Sequence, residues 1–133
     1  MIIILIFISV CFTGAMSFMQ LHKVLRNNRN YKILIVFSAL LPFTLLLDDI
    51  TSKKDIANSL VALSPICYLI VYKIFDKQIM SKYNRHIYFY KKYSTDQESV
   101  ESTWQEFLYQ FFLFLIPFFL IGIGKMIYII IIK

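Results

Sequence analysis

Glu98 and Glu101 stand three residues apart, a spacing that sets two carboxylates on one face of a helix, where they could do acid–base work or hold a cation. The surrounding residues favour a plainer role. Thr95 followed by Glu98 matches a capping box, and acids in a first turn complement the helix dipole. The spacing therefore predicts a solvated helix start near Thr95 that runs unbroken into the apolar stretch beyond it, with Trp104 at its interface. The histidines, His22 and His86, fall in charged stretches, far from the paired intramembrane arrangement that haem needs and without a metal-binding cluster. Cys11 and Cys67 sit in apolar runs with no base in reach, so they read as small apolar filler rather than nucleophiles or ligands. A Gly-rich loop ending in Lys-Ser/Thr, which would cradle a phosphate, is absent. We assign no catalytic, cofactor-binding or metal-ligating residue and expect no enzyme activity and no cofactor.

The elements that carry these residues are greasy. Of 133 residues 59% are hydrophobic and only 17% charged, against roughly 45–50% and about 25% in globular chains. Apolar runs over 1–21, 31–47, 57–75 and 107–132 come near or above the roughly 20 residues that cross about 30 Å of hydrocarbon. The fold class this predicts is all-α: a polytopic integral membrane protein, one domain over 1–133 with four transmembrane helices and a loop over 76–106. The second run is the shortest and ends at Asp48 and Asp49. The first lacks the basic n-region of a secretory signal and reads as a retained helix.

Lysine and arginine set the orientation, because in short loops they stay cytoplasmic. Lys23, Arg26, Arg29 and Lys32 follow the first run, and Lys73, Lys77, Lys82, Arg85, Lys91 and Lys92 lie at and after the end of the third. Both termini are then non-cytoplasmic, and the expected location is a bacterial inner (plasma) membrane.

Within the first run Ser9, Thr13, Ser17 and Gln20 line one face, a helix-packing or lumen stripe of the kind that replaces hydrophobic drive in lipid. Pro42, Pro65 and Pro117 fall mid-run, where each should kink its helix. Gly122 and Gly124 permit a close approach just before Lys125, the one formal charge well inside a run. Lys125 is expected to form an ion pair with Asp48 and Asp49. Lys82, Arg85, Tyr88, Tyr90, Lys91, Lys92 and Trp104 interleave bases and aromatics, which suits contact with anionic headgroups better than a nucleic-acid platform.

The function this supports is assembly rather than chemistry: self-association into an oligomeric helical bundle, as a pore or membrane-perturbing effector. The partners are an anionic bilayer and either further copies or a membrane protein. The first alternative is an accessory subunit of a larger complex or an immunity protein that binds a toxin. The second is a small-solute transporter, which lacks the buried carboxylate that proton coupling usually needs.

Overall fold

The structure is a computed structural model that describes residues 2–19, 21–43, 60–91, 95 and 97–132. Among the described residues it is all-helical, with no strand. Helix α1 (Ile2–Phe18) leads through a 3-10 segment (Leu21–Arg26) into α2 (Asn28–Phe43). A second 3-10 segment (Leu60–Leu63) opens α3 (Ser64–Tyr83), then come a short α4 (Gln97–Glu101) and the long α5 (Trp104–Ile132).

Among the described residues one helix, over Trp104–Ile131, is long and apolar enough to cross a membrane; α1 is apolar but shorter, over Ile3–Phe18. The third run differs from the expected span over 57–75, since its α-helix starts at Ser64 and continues eight residues past 75 to Tyr83. It therefore carries Asp76, Lys77 and Lys82 on the helix itself rather than in a loop. The end of α3 is fixed by Asn84, which adopts the left-handed conformation (φ 55°) while its N–H bonds the Met80 carbonyl at 2.9 Å. Asparagine takes this geometry more readily than other non-glycine residues, and it closes helices.

Pro65 corrects the kink reading. It sits in the first turn of α3, where its missing N–H has no intrahelical partner to lose and its fixed φ suits helix entry, so it starts the helix instead of bending it. Pro42 and Pro117 do lie inside α2 and α5. A Cβ built on Gly122 would meet nothing within 4 Å, so no close approach occurs there.

The expected unbroken helix from Thr95 is also corrected. α4 stops at Glu101, and α5 restarts at Trp104 behind a capping box further along the chain. The Thr103 N–H donates to Glu106 Oε1 at 3.1 Å, while the Glu106 N–H donates to Thr103 Oγ1 at 3.3 Å. The reciprocal pair satisfies two amide donors that the restarted helix would otherwise leave orphaned. Thr103→Ala is expected to cost about 1 kcal/mol of stability in detergent denaturation. A variant as stable as the parent would show that the break is held elsewhere.

The core runs along α3. Tyr68, Leu69, Tyr72 and Ile79 are buried against Met16 of α1 and Leu113 and Ile116 of α5. A smaller cluster of Leu5, Val61 and Ala62 fills the end where α1 meets the second 3-10 segment. Polar ties link the helices as well. Phe75 of α3 stacks on Tyr109 of α5 with centroids 4.0 Å apart, and the Tyr109 hydroxyl donates to Gln78 Oε1 at 2.7 Å.

Candidate functional site

The stripe on α1 is turned inward. Ser9, Thr13 and Ser17 have no exposed surface. The Ser9 hydroxyl donates to the Val61 carbonyl at 3.1 Å, and Ser17 shares a 3.0 Å hydrogen bond with the Tyr68 hydroxyl. Thr13 bonds the Ser9 carbonyl of its own helix at 3.1 Å. The Ser9 and Ser17 hydroxyls are spent on seating α1 against its neighbours in one protomer. Gln20 lies outside the described residues, as do Asp48, Asp49 and Lys92. Lys125 is exposed near the far end of α5.

The chemically dense part of the molecule is the opposite end of the bundle, where residues 85–91 cross beneath α1, α3 and α5. The segment is extended and alternates like a strand: Ile87 and Phe89 are fully buried, while Tyr88 and Tyr90 face outward or lie half-covered. With no partner strand, its backbone is satisfied by side chains. The Ile87 N–H donates to Asp76 Oδ1 at 2.9 Å and the Tyr88 N–H to Glu106 Oε2. The Gln110 amide meets Tyr90 on both sides, accepting its N–H at 2.9 Å and donating to its carbonyl at 2.8 Å. The same Gln110 nitrogen donates to the Ser17 carbonyl at 2.7 Å, tying the segment to α1. The Ser99 hydroxyl closes the series with the Lys91 N–H at 3.0 Å and carbonyl at 2.8 Å.

Two arginines clamp this arrangement. Arg26 makes a two-pronged contact with Glu98, at 2.6 and 2.8 Å, and reaches the Ile87 carbonyl at 3.0 Å. Arg85 does the same to Glu106, at 2.9 and 2.8 Å. Parallel guanidinium–carboxylate bonds of this kind fix orientation as well as adding energy. The Tyr88 ring sits within reach of both cations, 3.8 Å from Arg85 and 5.8 Å from Arg26. Burial would raise the Glu98 carboxyl, but the hydrogen bonds and charge of Arg26, with the charge of Lys23, hold it below its usual range.

His22 is the unusual member. It is fully buried, its ring 4.1 Å from that of Phe89 and 6.5 Å from that of Tyr72. Among the described residues neither ring nitrogen has a partner of good hydrogen-bond geometry, although Nε2 lies 3.9 Å from Glu98 Oε2. Burial, reinforced by the Arg26 charge, lowers its pKa from 6.5 to about 3, so the imidazole is neutral at physiological pH. A second histidine, His86, is half-exposed and turns Nδ1 toward Asp76 at 3.0 and 3.2 Å.

Of the residues assigned to headgroups, Arg85 and Tyr88 are thus engaged within the protein, whereas Lys82, Tyr90, Lys91 and Trp104 are exposed. The buried participants His22, Arg26, Asp76, Glu106 and Gln110 form a cluster that spacing alone did not pick out. Two signals were available: the Thr103–Glu106 box, and a glutamine four residues after Glu106 inside an otherwise apolar run. Among the described residues no group of His, Cys, Asp and Glu could hold a metal ion. What the cluster does is fasten a non-helical segment across a helical bundle. Comparison of the chain with protein-family models, curated proteins and solved structures finds no match to any of them.

Proposed function

We propose that this chain is a small, non-enzymatic protein of a bacterial inner membrane, a four-span bundle with both termini non-cytoplasmic that self-associates laterally into an oligomer. The observation that carries this reading is the outside of α5. Only 17% of its most apolar stretch is buried in the protomer, whereas the long core helix of a water-soluble protein is mostly buried. The other helices share that exterior, with Phe7 on α1 at 69% and Phe37 on α2 at 66% exposure, and Ile70 and Ile74 of α3 half-exposed. A surface of this kind in water would be an aggregation liability; in lipid it is the ordinary face of a bundle and a ready surface for further helices. The polar segment 85–91 then closes the cytoplasmic end, where the basic loops belong.

The inward stripe of Ser9, Thr13 and Ser17 bears on how such an oligomer acts. A lumen along it would require α1 to leave Tyr68 and Val61, so a conducting path has to be walled by several copies. The same observation favours a second reading, an accessory subunit or toxin-binding immunity protein, in which the apolar exterior docks on a different membrane protein. Light scattering after size exclusion in mild detergent, together with ion efflux from liposomes, tests the first reading. An oligomeric mass with leaky vesicles is expected; a monomer and tight vesicles would overturn it. Crosslinking in native membranes that captures a stoichiometric foreign protein would establish the second.

A further inference from the structure

Two adjoining hollows of about 340 and 360 Å³ open beside the first turn of α5. One is walled by Tyr90, Trp104, Phe107 and the Ser102–Thr103 break, the other by Phe18, Tyr90, Lys91 and Phe107. Since Tyr90 and Phe107 belong to both, the two form one groove from the α4–α5 junction to the flank of α1. Its floor is aromatic: Trp104 stacks on Phe107 at 5.4 Å and Tyr90 meets Phe107 edge-on at 6.1 Å. At the α1 side Phe18 is 42% exposed and packs edge-on to Phe114 at 5.1 Å, so the groove continues into the apolar exterior of α1 and α5.

Among the described residues that line the groove, Lys91 carries the one formal charge. Of the described acids at this end, Glu98 and Glu106 are each taken up by an arginine, Asp76 faces His86, and Glu101 is exposed on α4 beside Gln97. Lys91 lines the groove, is exposed, and forms no ion pair with any described residue. An apolar trough that opens toward lipid at one end, carries an unbalanced ammonium on its wall and holds tryptophan and tyrosine at headgroup level matches an amphiphile with a negative head.

We propose that this groove binds one anionic phospholipid, an acyl chain lying against Phe18, Trp104 and Phe107 and the headgroup phosphate held by Lys91. The site rests on the membrane reading above and gives its cytoplasmic end a preferred lipid.

Trp104 is the chain's only tryptophan, so its fluorescence reports directly on the groove. Purified full-length protein is reconstituted with brominated phosphatidylglycerol or brominated phosphatidylcholine at equal mole fraction, and quenching is titrated. The anionic lipid is expected to half-quench at about one-fifth the mole fraction of the zwitterionic one, the factor that ~1 kcal/mol per lysine at an anionic surface implies. Lys91→Gln should erase that preference, while Lys82→Gln, outside the groove, should keep it. Equal quenching by both lipids in the parent, or a preference that survives Lys91→Gln, overturns the site and leaves the membrane reading standing. Relief of quenching by inorganic phosphate alone also overturns it, by showing that the free anion is what binds. Quenching by neither lipid, in a protein that stays dispersed without amphiphile, overturns both.

Discussion

Replacing Glu106 by glutamine is expected to lower the stability of the detergent-solubilised protein by about 3 kcal/mol, the low end of what breaking a buried ion pair costs when one partner keeps some water. The carboxylate is fully buried and serves five donors: two nitrogens of Arg85, the Tyr88 N–H, and the N–H and hydroxyl of Thr103. Glutamine keeps the shape but turns one acceptor into a donor that faces other donors, and it leaves Arg85 without its counter-charge. Because Glu106 holds the extended segment as well as the start of α5, the loss should be read twice. The thermal midpoint falls by many degrees, and trypsin cuts faster after Arg85 and Lys91. Glu101→Gln is the matched control, since Glu101 is exposed and among the described residues bonds only Gln97, and it should change stability by less than about 0.5 kcal/mol. If Glu106→Gln melts with the parent, the clamp is ornamental.

The second large effect is an acid lability centred on His22. Its pKa is about 3 in the folded protein and 6.5 when unfolded. Between those values the unfolded chain binds a proton that the folded one refuses, so stability is full above pH 6.5 and falls as pH drops toward 3, by up to ~1.4 kcal/mol per unit. Glu98 is shifted in the same direction: its folded pKa is also depressed, so its contribution is present above 4.5 and lost only as pH falls below that value. Of the two, only the His22 contribution changes between pH 6.5 and 4.5. Thermal midpoints measured from pH 7.5 to 5 should decline in the parent and stay nearly level in His22→Phe, a substitution that also removes two buried nitrogens with no partner and keeps the stack on Phe89. A slope unchanged by His22→Phe would mean that the ring is not shielded from protons as its burial implies.

Helical class was legible because long apolar runs leave few alternatives, and the hydroxyls of Ser9, Thr13 and Ser17 announced a packing face by their i+4 spacing. Which neighbour that face meets was not legible, since Val61 and Tyr68 lie more than fifty residues away in sequence. Two boxes of the form Thr-x-x-Glu compete within a dozen residues, at Thr95 and Thr103, and local pattern gives no reason to prefer the later one. The choice is made by Arg85 and Tyr88, which need Glu106 where the later box places it. Pro65 misled for a related reason: a proline in the middle of an apolar run reads as mid-helix unless the run begins with a 3-10 turn, and only tertiary packing of Val61 and Ala62 produces that turn here. The cluster around His22 was the least visible part. Its members come from positions 22 to 110, each looked like an ordinary loop charge or span residue, and burial is a property that none of them shows alone.

The bonds of the 85–91 crossing have an implication for the order in which the molecule is built. A helix can satisfy its own backbone while its neighbours are absent, but this crossing borrows acceptors for the N–H groups of Ile87, Tyr88, Tyr90 and Lys91 from elsewhere: Asp76 on α3, Ser99 on α4, Glu106 and Gln110 on α5, with Ser17 of α1 reached through Gln110. It is a latch that cannot shut on a half-assembled frame, so its closure marks the moment at which α1, α3, α4 and α5 are all in place.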